Sequence, residues 1–327
     1  MVEYTLQRPD ADGVRTRALH GPGLGLLRGT LTVDGGLPRE IGHGLFAESR
    51  SFETWVRFSR SHFYDRKTPD TFGMAVKLLG VRGEKCLDET PGEQDFITVN
   101  LPYAWVGNRQ HVLDYFIRLA ANREREEARR ARKQLGERHG RKPADIMPLN
   151  QVFRSPDPRK FDWPLLRLWR IITWNWIRYP DPVMQTYNTL TAFRLGEGAM
   201  KCLFRGIPVP GVRTSGRYRD RIRQRLAAGP IRFEFLVQRR TMPDREPVDD
   251  VTKPWKSPLV KVGTMTIPPQ DFDTDERMAL EESISYSPYF SLRAHEPLGS
   301  LSEVRRWAYR HSGINRGGVC PFRVRAE

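Results

Sequence analysis

The pattern of hydrophobic and polar positions predicts a core built largely from β-strands. Runs of alternating or fully apolar residues, rich in aromatic and β-branched side chains, recur along the chain. The first follows a stretch near residue 20 in which glycines and a proline exclude a helix. Gly196 and Gly198 indicate a hairpin turn. The predicted strands cover residues 24–33, 52–59, 72–79, 96–99, 187–194, 199–204, 231–240 and 259–267.

Helical patterns occupy the middle and the end of the chain. Residues 109–139 begin as an amphipathic helix and then alternate acidic and basic side chains, which is typical of a solvated helix face. A short basic helix is predicted at 219–228. The last helix is expected to begin near Ser302, with that serine as its N-cap, and to end at Gly313.

The segment 163–178 is unusual because it combines four tryptophans with three arginines. On a helix, the arginines and Asn175 fall on one narrow arc and leave a broad apolar face. Such a face packs against its own domain or a sister subunit, or it lies in a membrane interface. The sequence leaves both interpretations open.

Composition and charge bound the class of protein. Of the 327 residues, 39% are hydrophobic and 28% are charged, as is typical of a soluble globular chain. The formal net charge of +15 attracts anions but indicates no specific nucleic-acid partner. Three widely spaced cysteines argue against a disulfide framework or a structural zinc site. Because the pattern contains neither a signal peptide nor a spanning segment, a cytoplasmic protein is expected.

The last predicted helix holds the first candidate for chemistry. Arg305 and Tyr309 are four residues apart and therefore share one helix face. An arginine against a tyrosine oxygen favours the phenolate, because the positive charge stabilises the anion. A phenolate is one of the groups that bind heme iron. On its own, however, an arginine–tyrosine pair on a helix is most often a surface or packing feature.

Further motifs near the N-terminus give this pair a context. His20 stands three residues after Arg17, where a glycine-rich segment enters the first strand. Val-Arg-Phe-Ser follows at 56–59, and Gly-Met-Ala-Val-Lys follows at 73–77. Together with Arg-x-Trp-x-Tyr at 305–309, this series resembles the monofunctional heme catalases. The chain looks like a small catalase-related protein of the catalase-like peroxidase branch.

The resemblance implies a fold and a cofactor. It predicts an α+β fold in which an antiparallel β-barrel of about eight strands carries peripheral helices. Heme b would lie between the barrel and the last helix. The expected single domain, 1–327, divides into an N-terminal arm (1–15), a first barrel half (16–106), a helical insertion (107–180), a second barrel half (181–268) and a proximal helix with its tail (269–327).

The resemblance also implies roles for individual residues. Tyr309 is the expected axial ligand of the ferric iron, supported by Arg305. His20 is the expected general acid/base, oriented by Ser59. The remaining expected cofactor contacts are those of Arg17, Arg57 and Arg316 with the heme propionates and of Trp105 with the ring.

Two positions depart from the catalase pattern. The distal asparagine of that family has no match in Pro91–Asp95, where Gln94 is the candidate for a replacement amide donor. The missing asparagine argues against efficient dismutation of hydrogen peroxide. Leu19 stands where catalase-related allene oxide synthases carry a threonine, which argues against allene oxide synthesis.

These features predict a heme peroxidase that reduces organic or fatty-acid hydroperoxides, with weak or no catalase activity. Two alternatives stay open: a catalase-fold heme protein that isomerises or senses lipid hydroperoxides, and a heme-free protein that binds membranes or anions. A homodimer is expected, and so is a peripheral membrane contact through residues 163–178.

Overall fold

The computed structural model describes both predicted barrel halves and the last helix. The described residues are Arg17, 20–21, 23–60, 71–88, 92–104, Arg109, Val112 and 181–315. The N-terminal arm, most of the predicted helix at 109–139, the segment 163–178 and the site candidates Trp105 and Arg316 lie outside the described residues.

The described residues form nine strands and three α-helices. The first four strands are β1 (Gly23–Val33), β2 (Arg50–Arg60), β3 (Phe72–Val81) and β4 (Gly92–Val99). The later strands are β5 (Thr186–Asn188), β6 (Phe193–Leu195), β7 (Gly198–Gly206), β8 (Ile231–Arg239) and β9 (Leu259–Ile267). The helices are α1 (Tyr218–Ala228), α2 (Asp275–Ser283) and α3 (Ser300–Asn315).

The strands close into an antiparallel barrel. Their order is β5-β4-β3-β2-β1-β9-β8-β7-β6, and β5 also pairs with β7. That second pairing joins the two ends of the sheet, so eight strands form a closed ring and β6 is an extra strand on β7. Closure leaves the ring without free edges. The predicted barrel is therefore confirmed.

Two glycines allow the close approach of β1 and β9, where the first and second halves of the barrel meet. A Cβ atom on Gly29 would lie 2.7 Å from the backbone oxygen of Thr266. A Cβ atom on Gly263 would overlap the backbone oxygen of Thr32. Any larger residue would push the strands apart, because backbone atoms have little room to move in a paired sheet.

Phenylalanines fill the interior of the barrel. Phe204 and Phe235 stack with their ring centroids 4.6 Å apart, and Phe96 lies 5.3 Å from Phe235 in an edge-on arrangement. These rings come from β4, β7 and β8 and are fully buried, so they meet across the ring of strands. Side chains therefore fill the interior between these strands.

Most predicted strands are confirmed, and the differences have physical reasons. β4 begins at Gly92, four residues before the prediction, because its first polar residues, Glu93 to Asp95, are buried with partners. The predicted strand 187–194 is interrupted: Thr189 turns to accept a hydrogen bond from the backbone N–H of Cys202 at 2.9 Å. β5 and β6 are therefore separate short strands, both paired with β7.

Helix ends were predicted less well. α3 starts at Ser300, and Ser302 lies inside it with its hydroxyl donating to the carbonyl of Leu298 at 2.8 Å, so the predicted N-cap is wrong. Gly313 also lies inside α3, so the predicted end of the helix is wrong as well. A Cβ on Gly313 would be in ordinary contact with Ser285, at 3.4 Å.

α2 was not predicted from the sequence. Its N-cap is Thr274, whose hydroxyl accepts a hydrogen bond from the backbone N–H of Arg277 at 3.2 Å. Asp275 and Glu276 follow in the first turn, where negative charge is favourable. This threonine and the acidic pair after it are a recognisable helix start, and they could have revealed the helix.

Candidate functional site

A cavity of about 260 Å³ lies between the outer face of the barrel and α3. The barrel wall consists of Ser59 from β2, Gly73 and Ala75 from β3, and Ile97, Thr98 and Val99 from β4. The helix wall consists of Leu301, Arg305, Ala308, Tyr309 and Ser312. The cavity is completed by Arg17, His20, Arg57, Leu190 and Tyr286. The structure thus brings six predicted site residues together: Arg17, His20, Arg57, Ser59, Arg305 and Tyr309.

His20 and Ser59 lie side by side above a glycine. A Cβ on Gly73 would come within 2.6 Å of His20 Nδ1 and within 2.8 Å of Ser59 Oγ. The absence of a side chain at this position of β3 therefore makes room for both groups. The backbone of His20 is left-handed, with φ of 54°, which is uncommon for a residue other than glycine.

Arg57 fixes the backbone around His20. Its Nη1 donates to the carbonyl of His20 at 3.0 Å, and its Nη2 donates to the carbonyl of Gly21 at 2.8 Å. Its Nε lies 3.4 Å from Oε1 of Glu281 on α2, in an ion pair with both side chains almost fully buried. Two N–H groups of this guanidinium thus hold the backbone at His20 and Gly21, and its predicted contact with a heme propionate stays a prediction.

Arg17 is held at the same end of the cavity. Its Nη2 donates to the carbonyl of Ile284 at 2.5 Å, and its Nη1 lies 3.4 Å from Oε2 of Glu282. Glu282 is half-exposed, so this ion pair is screened by solvent more than the buried pair of Arg57. Arg17 therefore remains a candidate for binding a ligand carboxylate.

On the helix wall, Arg305 and Tyr309 are neighbours, as their spacing predicts. The Arg305 guanidinium lies over the Tyr309 ring, with Cζ 5.5 Å from the ring centroid. Arg305 Nη1 donates to Thr191 Oγ1 at 2.8 Å. The contact with Tyr309 is therefore made to the face of the ring, whereas the sequence analysis expected a contact with the phenol oxygen.

A buried ionic cluster supports the segment that carries Tyr286 into the cavity. Lys77, the lysine of the Gly-Met-Ala-Val-Lys motif, lies 2.5 Å from Glu93 and 2.9 Å from Asp95. Burial raises the pKa of Asp95, while the charge of Lys77 opposes that shift. Asp95 also accepts a hydrogen bond from the backbone N–H of Ser287 at 3.0 Å. Lys77 thus has a structural role: through Asp95 it helps to hold the segment that carries Tyr286.

Tyr286 is a cavity residue that the sequence analysis did not predict. Burial raises its pKa well above the ordinary value, so this phenol stays protonated at neutral pH. Its hydroxyl lies 3.4 Å from the backbone oxygen of Trp55. Glu281 and Thr191 were missed as well, because each reaches the site from an element distant in sequence.

Gln94 does not line the cavity. It lies two residues before the interior residue Phe96 and so shares that residue's side of β4. Its Oε1 accepts a hydrogen bond from the backbone N–H of Leu292 at 2.9 Å. Among the described residues, the barrel wall of the cavity includes the apolar side chains of Ala75, Ile97 and Val99 but no carboxamide.

The described residues fit the main requirements of a heme site. A phenol on the helix wall and an imidazole on the barrel wall share one cavity. Apolar side chains from both walls suit the faces of a flat aromatic ring, and Arg17 and Arg305 suit its carboxylates. Arg57 also lines the cavity, and two of its five N–H groups donate to backbone carbonyls.

No protein-family model matches the sequence, and no curated protein matches it significantly. Solved structures do match. A bacterial catalase covers 93% of this chain with a TM-score of 0.57 and 17% identity. A fungal catalase also covers 93%, with a TM-score of 0.58 and 15% identity. The chain aligns with 58% and 60% of those two longer proteins. The catalases share its fold: this chain has a catalase-like β-barrel.

Proposed function

We propose that the chain binds heme b in the cavity between barrel and α3 and reduces organic hydroperoxides, with little dismutation of hydrogen peroxide. The observation that carries this proposal is that His20 and Tyr309, near opposite ends of the sequence, line one cavity of a catalase-like barrel. A structural role alone gives no reason for an imidazole and a phenol to meet there.

Residues of α3 and the N-terminal segment would hold the cofactor. Tyr309 would bind the iron from the helix wall, with Arg305 over its ring keeping positive charge beside the phenol. Arg17 would neutralise a propionate. When bound, heme supplies the oxidation–reduction chemistry. Arg316 and Trp105 remain candidates for further contacts.

His20 would act on protons at the barrel wall. Its imidazole would accept the proton of the incoming hydroperoxide and deliver it to the departing oxygen. Ser59 shares the space above Gly73 and would limit the rotation of the imidazole. Arg57 would keep the His20 backbone in place through its two carbonyl contacts.

The apolar barrel wall supports an organic rather than an inorganic peroxide. Ala75, Ile97 and Val99 offer favourable contact to an alkyl chain, whereas hydrogen peroxide gains nothing from such surfaces. Gln94 is turned away from the cavity, so it supplies no amide to orient a small peroxide. Fatty-acid hydroperoxides supply such an alkyl chain.

The test compares substrates and variants in heme-reconstituted protein. We expect dye oxidation with cumene or linoleic-acid hydroperoxide to exceed that with hydrogen peroxide, and oxygen release from hydrogen peroxide to be slow. His20→Ala should lower kcat/KM by a factor of about 10²–10⁴, the usual contribution of a general acid/base. His311→Ala is the matched control, because His311 stacks on Trp307 and does not line the cavity.

Equal rates for His20→Ala and the wild type would remove His20 from the mechanism. Product analysis separates the remaining possibility of an isomerase. Reduction converts the hydroperoxide to an alcohol and consumes the dye, whereas isomerisation keeps both oxygen atoms in the product and leaves the dye unchanged.

A further inference from the structure

Glu281 is a buried carboxylate that pairs with Arg57 but does not line the cavity. We propose that it is a positioning residue that, acting through Arg57, fixes the turn that carries His20. The consequence for proton transfer rests on the proposed function. The positioning itself is a property of the protein alone.

The turn at His20 needs to be held. Its φ of 54° lies in the left-handed region, which costs about 1–2 kcal/mol for a residue with a side chain. Such a conformation persists only where its surroundings fix it. Arg57 supplies that restraint by donating to two successive carbonyls, those of His20 and Gly21, at 3.0 and 2.8 Å.

Arg57 in turn needs a counter-ion, because its side chain is only 3% exposed. A buried guanidinium without a negative partner is strongly unfavourable. Glu281 is 5% exposed and places Oε1 at 3.4 Å from Arg57 Nε, while its Oε2 lies 3.8 Å from Arg219 on α1. The carboxylate therefore joins α1, α2 and the His20 turn.

Gly23 gives an independent way to disturb the pair. It begins β1, two residues after Gly21, and a Cβ at this position would overlap the Glu281 carboxylate. Gly23→Ala should therefore push Glu281 away from Arg57 without removing any charge. If the proposal is right, this substitution and Glu281→Gln have the same effect on His20.

The test measures how fast diethyl pyrocarbonate acylates His20, by peptide mass spectrometry on the protein as purified and with its heme content recorded. In Glu281→Gln and in Gly23→Ala, we expect the rate of acylation of His20 to be at least about fivefold higher than in wild type, equivalent to about 1 kcal/mol. Glu281→Asp, which keeps the charge, should fall in between. His311 serves as the internal reference in every sample.

Glu276→Gln is the matched control, because Glu276 lies exposed on the same helix and carries the same charge. Its His20 rate should equal that of wild type. A His20 rate within about twofold of wild type in folded Glu281→Gln would overturn the proposal. If that variant does not fold, Gly23→Ala decides by the same criterion. Neither result depends on peroxidase turnover, so failure here and failure of the proposed function are separate outcomes.

Discussion

At the scale of single residues, His295 shows how a buried polar group ties separate segments together. Its Nε2 accepts a hydrogen bond from the backbone N–H of Leu45 at 2.9 Å, and its Nδ1 lies 3.2 Å from the carbonyl of Arg194. One ring nitrogen accepts and the other donates, so the imidazole is neutral. Burial lowers the pKa of His295 to about 4.

This arrangement predicts a loss of stability in mild acid. In the unfolded chain the imidazole takes up a proton near its ordinary pKa of about 6.5, whereas in the folded protein it stays neutral down to about 4. The unfolded state therefore binds more protons in this window. As the pH falls from 7 to 5, His295 should lower the free energy of unfolding by about 2 kcal/mol.

Urea unfolding at pH 7 and pH 5, compared between wild type and His295→Gln, isolates this contribution. Carboxylates such as Asp95 titrate in both proteins, so their effect cancels in the difference. His311→Gln should keep the wild-type dependence on pH. The same dependence in His295→Gln as in wild type would show that His295 is not the titrating group.

The residue types of the cavity could be predicted from the sequence, but most of their partners could not. The motifs at 56–59 and 305–309 pointed to Arg57, Ser59, Arg305 and Tyr309, and all four line the cavity. Glu281 and Thr191, which hold the two arginines, lie 224 and 114 residues away from them in the sequence. No local pattern identifies contacts of that range.

At the scale of elements, the junction of β1 with β9 is the critical step in closing the barrel. Gly263 faces the backbone oxygen of Thr32, and a Cβ there would overlap that oxygen. Backbone atoms in a paired strand cannot move aside as a flexible side chain can. The pairing of β1 with β9 covers only four residue pairs, from Thr30–Thr266 to Val33–Gly263, so one disturbed pair matters.

We therefore expect Gly263→Ala to lower the free energy of unfolding by about 1–3 kcal/mol, the usual cost of overpacking. Thermal unfolding followed by circular dichroism measures the effect. Gly198→Ala is the control, since a Cβ there lies 3.7 Å from the nearest atom, the carbonyl of Leu195. If both variants melt together, the close approach at Gly263 does not limit stability.

Strong alternation of apolar and polar residues predicted the long strands well, whereas short or polar elements were harder to predict. β1, β2, β3, β8 and β9 match their predicted segments closely. β5 and β6 have three residues each, too few for a period to be visible, and their position is set by pairing with β7. α2 carries five charged residues, and its one buried residue is a glutamate, Glu281, so its pattern lacks an apolar face.

At the scale of the whole molecule, the barrel is closed, its interior is filled, and the candidate site lies on its outer face. α3 covers this face from the far end of the sequence, and His20 reaches it from the near end. The order of motifs along the chain was sufficient to predict this fold. None of the described helices is long and apolar enough to cross a membrane.

Heme binding through Tyr309 is the central claim, and absorption spectra of the reconstituted protein test it most directly. Wild type should show a Soret band at stoichiometric heme. Tyr309→Phe should lose or shift that band. Tyr289→Phe is the matched control, because Tyr289 also lies under an arginine, Arg306, but does not line the cavity. Its spectrum should match that of wild type. No Soret band in wild type, or an unchanged ferric spectrum in Tyr309→Phe, would contradict the account.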